Sequence, residues 1–135
     1  MDQMPDWSHT LHTSGTPTCT ALAREFTCTH LLAHGLRHLV DDVSLVVSEL
    51  VTNAVTHAQT PLTVVLRREG GAVTLTVTDL SPVIPCMVAS DGMALGGRGL
   101  VIVDALSRGW GVTPGSNGTK TVWASFVADR VEASP

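Results

Sequence analysis

A chain of 135 residues with a hydrophobic fraction of 44% has the size of one domain and enough apolar content for a core, which excludes a disordered chain. Eight Lys and Arg against twelve Asp and Glu leave a net charge of −4, and no basic cluster exceeds the pair Arg67-Arg68, so a nucleic-acid surface is not expected. No uncharged apolar run approaches the roughly 18 residues that cross a bilayer, and the first ten residues, with Asp2 and Asp6, do not form a secretory signal; the expectation is a cytoplasmic protein with no membrane contact.

Residues 1–15 read as a flexible arm or one edge strand around Ser8 to His12, whose open edge offers a pairing surface for a homodimer. Residues 16–128 read as a single domain and 129–135 as a tail. From Thr18 or Thr20, either of which suits a helix cap, the apolar residues Ala21, Leu22, Phe26, Leu31, Leu32 and Ala33 predict a helix that stops at Gly35. His30, His34 and His38 repeat every four residues and read as a solvated helix face. Cys19, Cys28 and Cys86 are odd in number and lack metal-ligand spacing, so they read as small buried thiols. A second helix begins near Asp41-Asp42 and runs to His57, with Val43, Val46, Val47, Leu50, Val51, Ala54 and Val55 facing a core. Glu49 and Asn53 interrupt that apolar pattern one turn apart, which aims a carboxylate and a carboxamide into one cleft.

After Pro61 the period changes to two. Leu62, Val64 and Leu66, then Val73, Leu75 and Val77, make the buried face of a hairpin turned at Glu69-Gly70-Gly71, with Asp79 at its end. Residues 83–95 read as a ligand-covering loop. Gly96-Gly97-Arg98-Gly99 then precedes a third helix from Leu100 to Ser107. Two last strands, Trp110 to Val112 and Thr119 to Val127, close the chain. This order predicts an α+β fold, a two-layer sandwich with helices on one face of a mixed, mostly antiparallel sheet.

Glycines at a helix start free backbone N–H groups for an anion, so Gly97-Arg98-Gly99 reads as a phosphate cradle to which Arg98 adds charge. Asp79 has the chemistry to accept hydrogen bonds from an adenine amino group. Polyphosphates arrive with Mg²⁺, for which Asn53 offers a neutral oxygen, while Glu49 suits a general base or a water-orienting group. A weaker alternative takes Arg98-Gly99 as the pyrophosphate loop of an acyl-CoA-using enzyme, which leaves Glu49 and Asn53 idle.

The helical Glu49-x-x-x-Asn53, then Asp79 at a strand end 26 residues later, then Gly97-x-Gly99 after another 18, resemble the N, G1 and G2 boxes of the histidine-kinase-like ATPases, the superfamily of gyrase B, Hsp90, histidine kinases and MutL. Within it, Ser48-Glu49-Leu50-Val51-Thr52-Asn53-Ala54 and Lys120-Thr121-Val122-Trp123 are similar to the anti-sigma-factor serine kinases related to SpoIIAB and RsbW. The resemblance implies a Bergerat-type site for ATP or ADP with Mg²⁺. By it, Asn53 is the metal ligand, Glu49 the catalytic base, and His57, Asp79, Ser81, Gly97, Arg98, Gly99, Leu100 and Thr121 are nucleotide-binding, Thr121 (or Thr119) supporting Asp79 from behind. It also implies two partners, a STAS-domain anti-anti-sigma protein as phosphoacceptor and a sigma factor to be sequestered. The pattern departs from the family at Asp79-Leu80-Ser81-Pro82-Val83, which lacks the two glycines usual after the aspartate. That departure leaves a non-catalytic nucleotide-binding module as the alternative.

Overall fold

The computed structural model describes residues 5–57, 60–80, 97–115 and 118–129. In chain order these form β1 (Trp7–Thr13), α1 (Cys19–Ala33), a short 3-10 turn (Arg37–Leu39), α2 (Val40–His57), β2 (Leu62–Glu69), β3 (Ala72–Asp79), α3 (Gly97–Leu106), β4 (Gly109–Pro114) and β5 (Lys120–Val127). The strands lie in the order β1-β2-β3-β5-β4. Every ladder among them is antiparallel, so the fold is the expected α+β sandwich, with no parallel pair in the sheet where a mixed one was allowed for.

Alternation decides which face of the sheet is covered. Leu62, Val64 and Leu66 of β2, Val73, Leu75 and Val77 of β3, and Val122, Ala124 and Phe126 of β5 are all buried, and they share one face because successive side chains point to opposite sides of a strand. Against that face packs α2, whose Val43, Val46, Val47, Leu50, Val51 and Ala54 join the same core cluster. Leu100 and Val103 bring α3 into it.

α1 departs from the expected pattern. Its buried stripe is Cys19, Ala23, Thr27 and Leu31, whereas Leu22 and Leu32 are about half exposed. Spaced by four, these mostly small residues let α1 approach α2 closely, and the larger leucines fall on the outer side. Thr18 stands at the N-cap but makes no capping hydrogen bond; its hydroxyl pairs with Thr16 at 2.9 Å instead. Gly35 does end the helix. With φ at +74°, it lets its own N–H reach Leu32 O at 3.1 Å and that of Leu36 reach Leu31 O at 2.8 Å, the paired closure of a Schellman motif.

β1 is fully paired with β2 from Trp7 to Thr13, so the first segment is an edge strand where the sequence left an arm open. It lies over α1. Trp7 stacks on His34 with ring centres 4.0 Å apart, His9 stacks on His30 at 3.7 Å, and the Nε2 atoms of His9 and His34 are hydrogen-bonded at 2.9 Å. The expected solvated histidine row is therefore corrected. β1 covers His30 and His34, while His38 belongs to the 3-10 turn because Gly35 has already stopped the helix. Cys19 and Cys28 are free thiols. No described helix is long and apolar enough to cross a membrane.

Candidate functional site

The carboxylate and carboxamide of α2 meet the start of α3. Measured from where a Cβ on Gly99 would stand, Glu49 Oε1 is at 2.8 Å and Asn53 Nδ2 at 3.3 Å. Any side chain at position 99 would fill this junction, since 2.8 Å is well inside a carbon–oxygen contact. Glu49 and Asn53 are partly exposed, yet Asn53 Nδ2 is itself buried and has no hydrogen-bond partner among the described residues. Leaving such a donor unpaired costs about 1–3 kcal/mol, so this helix position holds an amide that no described residue satisfies.

α3 begins at Gly97, three residues earlier than the expected Leu100. Gly97, Arg98 and Gly99 therefore form its first turn instead of preceding it. The correction strengthens the anion reading, because the N–H groups of a first turn have no partner within the helix and sit at its positive end. Glu49 occupies the same positive end. Leu100 is wholly buried, so its side chain serves the core and only its backbone is available to a ligand.

Asp79 ends β3 on the core face, two residues beyond Val77, and is 2% exposed. Opposite it in register is Lys120, and Lys120 Nζ lies 3.4 Å from Asp79 Oδ2, with the lysine side chain only 6% exposed. This buried ion pair is a feature that residue-type reasoning missed. The signal was available, since Lys120 shares the inward parity of Val122, Ala124 and Phe126. Thr121 has the opposite parity, and its hydroxyl pairs with that of Thr78 at 2.7 Å on the other face of the sheet; Thr119, the alternative, directly precedes Lys120. His57 closes α2. Its side chain, that of Arg98, and the whole of Ser81 and the 83–95 loop lie outside the described residues.

An adenine nucleotide fits the groups that are present. An unpaired buried donor on Asn53, a glycine surface kept clear beside it and a helix start suit phosphate oxygens, and a buried carboxylate at a strand end suits an amino group. Among the described residues no group of three or more His, Cys, Asp or Glu is placed to hold a metal ion, so a cation here would depend on Asn53 together with phosphate oxygens and water.

Comparison with known proteins agrees with this geometry. The structure resembles the RsbU and RsbW domains of Rv1364c from Mycobacterium tuberculosis, with TM-score 0.67 and 21% identity over 91% of this chain and 33% of that one. The chain thus spans about a third of that protein's length. No curated protein matches it. Residues 14–126 match the histidine kinase-like ATPase domain, and the chain belongs to that family.

Proposed function

We propose that this chain binds ATP or ADP with Mg²⁺ between α2, the end of β3 and the start of α3, and acts as a protein serine/threonine kinase of the anti-sigma-factor type. The observation that carries the reading is the meeting of Glu49, Asn53 and Gly99 around an unpaired amide. In this reading Asn53 Nδ2 donates to a phosphate oxygen and its Oδ1 ligates Mg²⁺. The first-turn N–H groups of Gly97 to Gly99 hold phosphate oxygens, with Arg98 adding charge. Lys120 fixes the Asp79 carboxylate, which accepts from the adenine amino group. His57 and Ser81 border the nucleotide.

Bound ATP supplies a transferable γ-phosphoryl group. Glu49 then takes the proton of a serine or threonine hydroxyl as that oxygen forms its bond to the γ-phosphorus, the bond from that phosphorus to the β–γ bridging oxygen breaks and ADP leaves. The acceptor is a STAS-domain anti-anti-sigma partner, and its modification releases this chain to sequester a sigma factor. Family membership and the RsbW resemblance support the regulatory reading, and the proposed site of action is the cytoplasm. Incubation with labelled ATP, Mg²⁺ and co-encoded STAS proteins tests it. Label on a partner that is lost with Glu49→Gln supports the kinase; no transfer to any partner removes it.

A second reading rests on Leu80-Ser81-Pro82-Val83 replacing the usual glycines after Asp79. Here nucleotide shapes a surface for a partner and no phosphoryl transfer follows. Partner binding that needs ADP but tolerates Glu49→Ala distinguishes this module from the kinase.

A further inference from the structure

We propose that a second ligand site, for a tetrahedral oxyanion such as sulfate or a phosphomonoester group, lies at the opposite end of the sheet from Asn53, where Arg37, His38, His34 and Arg68 surround a pocket. The cavity measures about 360 Å³ and lies between the end of α1, the 3-10 turn, β2 and the segment after β5. β3 runs eight residues from this end to Asp79, a span of roughly 25 Å, so the pocket is separate from the nucleotide site.

Its charge is out of character for the chain. In a molecule of net charge −4, two guanidiniums, two imidazoles and one carboxylate line the pocket among the described residues. Arg68 is 6% exposed, its Nε donating to Gly70 O at 3.0 Å and its Nη2 to Asp129 Oδ1 at 3.3 Å. The Asp129 side chain is 78% exposed, a partner that solvent screens and that an incoming anion can displace.

His34 reports the resulting field. Burial first, then the charges of His9 and Arg68, hold its imidazolium below the ordinary histidine range. The groups around it are Trp7 and His9 from β1, His30 from its own helix, Arg68 from β2, Asp129 after β5, and Arg37 and His38 along the pocket. A protonated His34 can keep the 2.9 Å bond to His9 as its donor. An oxyanion opposite Arg68 favours that proton, and binding takes it up. Affinity therefore rises as pH falls below the ordinary histidine range, where His34 takes up its proton.

The test is an NMR titration of the full chain with sodium sulfate at fixed ionic strength. Sulfate keeps its charge across the range, so any pH effect belongs to the protein. Saturable shifts are expected at the His34, Gly35 and Ala128 amides, equally in the native chain and in Asn53→Ala, with affinity at least about threefold higher near pH 5 than near pH 8. Arg37→Glu alters an exposed residue and should weaken binding about tenfold. Arg68→Gln should weaken it further, and Arg37→Glu carries the test if Arg68→Gln fails to fold. A second titration with O-phosphoserine separates the sources: tighter binding than sulfate assigns the pocket to a phosphorylated residue, equal binding to the free anion. Shifts that chloride reproduces, shifts confined to Gly99 and Leu100, or unchanged binding by Arg37→Glu would overturn the proposal.

Discussion

Two polar side chains in the interior carry the argument at the level of single residues. Asn53 keeps a buried amide nitrogen without a partner among the described residues, a cost of about 1–3 kcal/mol that packing alone does not require. Asn53→Ala should therefore leave the unliganded chain at least as stable as the native one, by about 1 kcal/mol in its favour, as measured by denaturant unfolding. Gly99→Ala makes the complementary case. A methyl group gains helix propensity of about 0.5–1 kcal/mol but lands 2.8 Å from Glu49 Oε1. Stability should shift by no more than about 1 kcal/mol while ADP affinity falls by about tenfold or more, read by calorimetry. Lys120 behaves differently. Lys120→Met leaves the Asp79 carboxylate buried without its cation, and breaking such a pair costs about 3–5 kcal/mol; an unfolding free energy within about 1 kcal/mol of native would show that the pair does not hold the end of β3.

The elements show what patterning can and cannot reveal. The period of two in β2 and β3 named the inward residues correctly because one face of the sheet is covered and the other is not. The apolar stripe of α2 was equally legible. α1 was not, because helix packing there selects small residues spaced by four over large leucines, and a list of apolar positions carries no information about which neighbour needs close approach. The histidine contacts were hidden for a related reason: His9 meets His30 and His34 only through the docking of β1, a contact distant in sequence. That docking makes the edge strand sensitive to pH. Burial, followed by the charges of His9 and of His34, lowers the His30 value, and burial with His9 and Arg68 lowers that of His34. Both groups therefore bind protons more weakly in the folded chain than in the unfolded one. Stability should be highest above about pH 6.5 and decline as pH falls below it toward the lowered folded values. The hydrogen-exchange protection factors of the β1 amides should fall over the same window, and His34→Gln should flatten the response. At the other end of α1, Gly35 at φ +74° has open space around it, so Gly35→Ala should cost about 1 kcal/mol from backbone strain alone.

For the whole molecule, an antiparallel sheet with three helices on one face brings Asp79, the α2 amide and the α3 first turn to one end, and the Arg68 pocket to the other. The sequence spacing of Glu49, Asn53, Asp79 and Gly97 to Gly99 was sufficient to identify the family, since those groups are fixed by helix and strand ends. It was insufficient for Thr121 and Lys120, whose roles depend on strand parity at a box with uncertain register. Titration of the chain with ADP and Mg²⁺, followed by calorimetry and thermal unfolding, tests the central claim most directly. The native chain should bind and gain stability as ligand is added, while Asn53→Ala should stay folded, at native stability or above, and bind nothing; a native chain that does not bind, or an Asn53→Ala chain that binds equally well, would contradict the account.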